Sequence, residues 1–321
     1  MPTPRIIGSA VVAALFITFP LASRFDARSV DQPRESRRID SERLMASVRT
    51  LADPKWEGRA AGSPGGIAAR AWIVGRFKEI GLQPVAGAFE HPFTYTRKTV
   101  NGSQEEAGAN VIGLCAGSDP RLPYFVVSAH YDHLGIRDGQ IYPGADDDAS
   151  GVAVVIELAA FCRKTPFRHT ILFAAFDAEE RGLQGARALL AKPPVPQDRI
   201  ALNVNLDMVS RSDKREIYIA GTYHYPDLRK PLEEIVKRAP ITVLFGHDQP
   251  KNVAGGLDDW TNQSDHGPFH AAKIPFVYFG VEDHPDYHKP TDTADKINGG
   301  FFADVAETIL DAVLSLDRAR N

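Results

Sequence analysis

Three short blocks hold the ionisable side chains best placed to do chemistry: HYDHLG at 130–135, GADDDASG at 144–151 and DAEERG at 177–182. They bring a histidine, a run of aspartates and a glutamate pair within about fifty residues, each just after an apolar run that reads as a strand. Asp207 and His288 are two further candidates downstream. Carboxylates and histidines crowded at strand ends repel one another and lose hydration unless a cation compensates them. The pattern is the one a two-metal hydrolytic site requires.

The elements that must position these groups alternate. From Tyr124 the chain reads YFVVSAH then SGVAVVIELAAF, HTILFAAF then GLQGARALLA, and ALNVNLDMV, EIYIA then PDLRKPLEEIVKRA. PFVYFG follows, with a last helix from about Phe301 to Leu316. Apolar strands alternating with amphipathic helices predict a three-layer α/β/α sandwich on a mixed, mostly parallel twisted sheet. Upstream, helices are expected over Ser41–Leu51 and Ile67–Ile80, and a hairpin over Phe93–Val100 and Ala109–Leu114 about an Asn101–Gly102 turn. Sites in open α/β sheets form beyond the carboxyl ends of the strands. His130, the Asp177–Glu180 stretch, Asp207 and the loop carrying His288 all follow strand ends.

A net charge of −4 and the lack of Lys/Arg clusters interleaved with aromatics exclude a nucleic-acid face. Arg5 followed by the apolar run Ile6–Ala22 and small residues to Ser23 reads as a signal peptide over 1–23, with an uncleaved anchor as the alternative. Residues 24–39 read as a mobile leader and 40–321 as one domain. The expectation is an exported protein, periplasmic or extracellular, with no stable membrane association. The two cysteines, Cys115 and Cys162, each close an apolar run, and the expectation is two buried free thiols.

HYDHLG, PGADDDASGVA, FDAEERGLQGA, NLDMV, SDHGPF and YHKPTDT resemble, in order, the blocks of the co-catalytic zinc exopeptidases of clan MH, metallopeptidase family 28. The resemblance runs from EGRAAGSPG to the C-terminal helix. It implies the zinc-exopeptidase, phosphorylase/hydrolase-like fold and two Zn²⁺ per chain. It assigns His130 and Asp207 to one metal, Glu180 and His288 to the other, Asp147 to the bridge, and Glu179 to the general base. It also implies a cis Asp147–Asp148 bond and a Tyr287 that helps bind the developing oxyanion; Met208, directly after Asp207, is expected in the wall of the first side-chain pocket. Two Zn²⁺, three carboxylates and a bridging hydroxide sum to zero charge. One departure is Ala178, where many relatives carry glycine.

The residues alone leave alternatives. His133 competes with His130, although Asp132 stands where a carboxylate orienting His130 would. His284 and His266 compete with His288 for the last ligand. Asp146 and Asp148 could be solvated or bind calcium, and Glu179 and Glu180 could be first-turn helix acids. Ser150 lacks the glycine pattern of a nucleophile elbow. The resulting expectation is a secreted dizinc aminopeptidase acting on peptides with a free N-terminus. Its rivals are a one-zinc glutaminyl-peptide cyclotransferase, a carboxypeptidase or dipeptidase anchored by Arg181, Arg187 or Arg211, and a metal-free binding domain.

Overall fold

In the computed structural model, Asp40 opens the first helix: its side chain accepts the backbone N–H groups of Glu42 and Arg43, and α1 runs Ser41–Leu51. The described residues are 1–2, 37–99, 102–253 and 255–320, and the body treated below is Arg37–Asn321. The apolar run Ile6–Ala22, the leader as far as Ser36 and the Asn101 of the expected turn lie outside the described residues. Arg37 and Arg38 pair with Asp304, Glu307 and Asp311 on the last helix, and Ile39 is buried. Among the described residues no helix is long and apolar enough to cross a membrane.

α2 runs Pro64–Ile80, three residues longer at its start than expected, because Ser63 caps Gly66 and Pro64 has no N–H to lose there. Gly65 presses so close to the Trp56 carbonyl that a Cβ would lie 1.8 Å from it. β1 (Gln83–Pro84), β2 (Glu90–Thr99) and β3 (Gly102–Cys115) follow, the last two pairing as a hairpin longer than the sequence suggested. Then come β4 (Tyr124–His130), the small hairpin β5 (Gly135–Arg137) and β6 (Gln140–Tyr142), and α3 (Gly151–Lys164). The remainder is β7 (Thr170–Phe176), α4 (Gln184–Ala191), β8 (Ile200–Leu206), β9 (Glu216–Ala220), α5 (Arg229–Val236), β10 (Thr242–Phe245), α6 (His266–Ala271), β11 (Phe276–Gly280) and α7 (Gly299–Ala319).

The main sheet has the order β1-β3-β7-β4-β8-β11-β9-β10, with β2 on β3. β7, β4, β8 and β11 are parallel and form its centre, while β3 and β9 join them antiparallel. Alternate strand residues enter two cores. Phe125, Val127, Ile171 and Phe173 pack under α1, α2, α3, α5 and α7, whereas Val126, Leu172 and Ala174 pack under α4 and α6. Each of these valine, leucine, isoleucine and phenylalanine side chains contributes about 1.5–3 kcal/mol by leaving water. The three-layer α/β/α reading holds. α3 is buried almost all round, which is why its sequence is apolar on every face, and its one buried acid, Glu157, pairs with Arg43 at 2.7 Å.

One expectation fails here. Cys115 and Cys162 form a disulfide, with Cα atoms 6.5 Å apart. The end of β3 packs against the last turn of α3, and burial of both thiols in that contact brings them within bonding reach. Two apolar runs gave no hint of this, since their packing partners are set by the tertiary fold.

Candidate metal centre and active-site cavity

The register aligns Ala174, Ser128, Asn205 and Tyr278 across the four central strands. Residues a few positions further on therefore leave the sheet at one edge. His130 closes β4, Glu179 and Glu180 follow β7, Asp207 follows β8, and His288 lies on the loop after β11. All five expected ligands meet there. His130 Nε2 is 3.1 Å from Asp147 Oδ1 and 3.5 Å from Asp207 Oδ1. His288 Nε2 is 3.1 Å from Asp147 Oδ2 and 3.4 Å from Glu180 Oε1.

The three aspartates of the DDD block do three different things. Asp146 accepts the N–H and hydroxyl of Ser210 at 2.7 and 2.6 Å, and meets His284 Nε2 at 3.1 Å. Asp148 accepts the backbone N–H groups of His130, Gly151 and Met208 at 2.9–3.2 Å. Only Asp147, between them, turns both oxygens toward histidines. The Asp147–Asp148 peptide bond is cis. Asp148 clusters with His130 and Asp207 by distance alone, but its oxygens are already engaged by these three donors. Asp292 receives the N–H groups of Asp146 and Asp147 at 3.0–3.2 Å from below the loop.

Asp132 does more than orient His130. Its backbone carbonyl stands 3.0 Å from His130 Nδ1 and its carboxylate Oδ1 3.7 Å from the same atom, where the carboxylate helps raise the imidazole. The carboxylate also accepts the N–H groups of Glu179 and Glu180. Neither glutamate begins a regular helix; they sit in a short 3₁₀ turn after Ala178. Ala178 has φ 56°, the left-handed region that favours glycine, so its methyl group is tolerated at a backbone cost of about 1–2 kcal/mol.

The charge state calls for a cation. Burial lowers His288, but Asp147 and Glu180 outweigh it and hold the imidazole at about 10. Burial pushes the Glu179 carboxyl well above its ordinary range, with His130 opposing and Asp207 adding to the rise. Glu180 Oε1 is buried, lies near two histidines, and still has no hydrogen-bond partner. Ligand atoms about 2.0 Å from a common tetrahedral centre lie about 3.3 Å apart. The spacings of 3.1–3.5 Å around Asp147 fit two divalent cations held by nitrogen and carboxylate donors.

Other candidates fall away. His284 is occupied by Asp146 and Arg211. His266 bonds the Trp260 carbonyl, and burial pushes it down to about 3. Arg211 pairs with Asp286 at 2.9 Å. Ser150 donates to the Asp146 carbonyl.

A cavity of about 450 Å³ opens over the cluster, walled by Met208, Tyr287, Trp260, Val281 and Leu183, with Arg187 at its lining. Met208 and Tyr287 both line this cavity, and the Tyr287 ring stacks on His288 at 4.0 Å. Sequence reasoning gave no role to Arg59, Asp265 or the segment carrying Trp260. Arg59 is wholly buried and donates to the carbonyls of Leu51, Tyr131, Pro143 and Gly144, so it holds the HYDHLG and DDD loops together. Asp265 is fully buried with both oxygens unpartnered. Both residues lie in blocks the resemblance had marked, EGRAAGSPG and SDHGPF.

A metal-bearing hydrolase site at the edge of this sheet agrees with comparison to known proteins. The model of peptidase family M28 matches residues 110–313, and the chain belongs to that family. Aminopeptidase YwaD of Bacillus subtilis (strain 168) is 31% identical over 208 residues, 60% of this chain and 41% of its own. The chain thus spans about two fifths of that relative's length. The solved aminopeptidase from Aneurinibacillus sp. strain AM-1 aligns over 86% of this chain and 93% of its own, with a TM-score of 0.67 and 20% identity. Glutaminyl cyclase from Bacteroides thetaiotaomicron aligns over 86% and 98%, with a TM-score of 0.66 and 17% identity. At these identities the likeness concerns the fold.

Proposed function

We propose that the protein is a dizinc aminopeptidase that removes the N-terminal residue of peptides in an oxidising, exported compartment. The observation that carries this reading is the double engagement of Asp147: one oxygen lies 3.1 Å from His130 and the other 3.1 Å from His288. A carboxylate with one oxygen in each of two half-sites is what a bridged metal pair requires. Asp207 completes the first half-site and Glu180 the second. The Cys115–Cys162 bond supports the compartment, since disulfides persist where thiols are not kept reduced.

Zinc held there would lower the pKa of water toward ~7 and polarise a scissile carbonyl. The chain's own groups do the rest. Glu179, its carboxyl raised by burial, takes a proton from the attacking water and returns it to the leaving amine. Asp132 fixes the backbone from which Glu179 projects. The Tyr287 hydroxyl serves as a donor to the developing oxyanion. Met208, nearly buried in the cavity wall, bounds an apolar side-chain pocket, and the acids around it favour a substrate ammonium.

A second reading has one observation behind it. Arg187 is exposed at the cavity, and among the described residues its side chain donates one hydrogen bond, from Nε to the Gly182 carbonyl. Its terminal nitrogens are available to a substrate carboxylate, as a dipeptidase would need. Metal analysis combined with product analysis on a glutamine-initiated peptide tests the set. The expected result is two zincs per chain and release of free glutamine. One zinc with pyroglutamate formation would mean a cyclase. Cleavage that needs a free C-terminal carboxylate and disappears in Arg187→Ala would mean a dipeptidase.

A further inference from the structure

We infer that His133 is a metal ligand, the fourth protein donor of the half-site built from Asp147, Glu180 and His288. This rests on the two-metal reading above and deepens it. His133 Nδ1 lies 2.9 Å from Glu180 Oε1 and 3.6 Å from Asp147 Oδ2. Together with the 3.1 and 3.4 Å spacings from His288 Nε2 to the same two oxygens, this gives four of the six edges of a tetrahedron. Their lengths scatter about the ~3.3 Å expected for donors ~2.0 Å from one centre. The His133 and His288 rings meet edge to face, centroids 5.8 Å apart.

A hydrogen bond between His133 and Glu180 is the competing account; it would hold the pair together without giving the metal a donor. The two atoms stand 2.9 Å apart, within reach of such a bond. His133 Nδ1 and Nε2 and Glu180 Oε1 are all buried without a hydrogen-bond partner. An unpartnered buried imidazole is costly unless something absent from the protein chain satisfies it. A Cβ on Gly144, whose φ is 56°, would lie 2.1 Å from the Asp147 carbonyl oxygen and 2.5 Å from His133 Cγ, so glycine at this corner leaves room for both.

The consequence is an asymmetric pair. The half-site of His133 then has four protein donors. The half-site of His130 has three, Asp147 and Asp207 being the others, and keeps an open position as catalytic zinc does. One zinc is held tightly and the other exchanges. Ligation through Nδ1 puts the ring proton on Nε2, a buried atom without a protein acceptor among the described residues.

Two measurements test this. Zinc content is followed against increasing chelator for the wild type and for His133→Asn, which keeps a hydrogen-bond donor near the position of Nδ1 but ligates poorly. In the wild type one of two zincs resists chelation. In the variant that resistant zinc weakens by more than the roughly 10–100-fold that a partner outside the coordination sphere is worth. Resistance within ~10-fold of wild type overturns the inference. Two-bond ¹⁵N–¹H spectra of the histidine rings in the zinc-loaded wild type give the second answer, independent of how the variant folds. His133 is expected with its proton on Nε2 and its Nδ1 signal moved by zinc; a proton on Nδ1 overturns the inference. If the wild type binds no second zinc at all, the two-metal reading falls, and His133 loses its role with it.

Discussion

The carboxylate of Asp132 accepts the backbone N–H of Glu179 at 3.0 Å, and through its other oxygen that of Glu180 at 3.3 Å. One side chain on the β4 loop thus sets the direction of both glutamates on the β7 loop, while its own carbonyl faces the ring of His130. Asp132→Asn puts an amide N–H₂ where one of these donors needs an acceptor. The expected outcome is a fall in kcat of about 10–100-fold with the fold retained, read by steady-state kinetics beside a circular-dichroism melt. An unchanged kcat would mean the glutamates are held by other contacts.

The two glutamates should separate cleanly on substitution. Glu179→Gln keeps both zincs and loses about 10²–10⁴-fold in kcat, the usual worth of a general base. Glu180→Gln loses zinc instead, because its Oε1 lies between His133 and His288. Elemental analysis of both dialysed variants decides the matter. Equal zinc loss in the two would reverse or dissolve the assignment.

How much of this was legible in the sequence depended on whether the signal was local. His130, Asp207 and the glutamate pair stand at the ends of apolar strands, so the rule that sites form at carboxyl ends found them, and block order supplied His288 and the middle aspartate. The short strand β10 and the six-residue α6 escaped notice because neither is long enough to show a period. Arg59 and Asp292 act through the backbone, receiving or donating to main-chain groups of loops far away in sequence. No spacing rule exposes that kind of contact. The disulfide was misread for the same reason: Cys115 and Cys162 look like apolar residues until β3 and α3 are packed together.

Reduction should therefore destabilise the protein. The Cys115–Cys162 bond spans 47 residues, and crosslinks of this sort contribute about 2–4 kcal/mol, largely by restricting the unfolded chain. Thermal melts with and without a reductant too weak to bind zinc should show a lower Tm in the reduced protein. A Cys115→Ala, Cys162→Ala variant should melt with the reduced form, and its failure to do so would place the reductant's effect elsewhere.

Asp317 gives the structure a pH dependence at its far end. It accepts the N–H groups of Arg168 and His169 and meets His169 Nδ1, each at 2.8 Å, tying α7 to the start of β7. Burial raises its carboxyl, but the His169 and backbone hydrogen bonds outweigh burial and hold it below the usual range. A depressed carboxyl stabilises the fold above the unfolded pKa of ~3.9 and loses that contribution as pH falls through the folded value. Asp317→Asn should lose about 1.5–3 kcal/mol at neutral pH, and its urea midpoint should converge on wild type as pH drops below ~4. A gap that stays constant with pH would show that charge plays no part.

The central claim is that the cavity hydrolyses the bond next to a free α-amine, and one pair of compounds tests it. The zinc-loaded protein is given an aminoacyl anilide with an apolar side chain and, separately, the same compound N-acetylated. The acids beside Met208 should receive the ammonium, and acetylation removes that charge and fills the space it occupied. The predicted result is rapid release of aniline from the free-amine compound, abolished by chelator, with no measurable release from its acetylated partner. Equal release from both compounds would contradict the account.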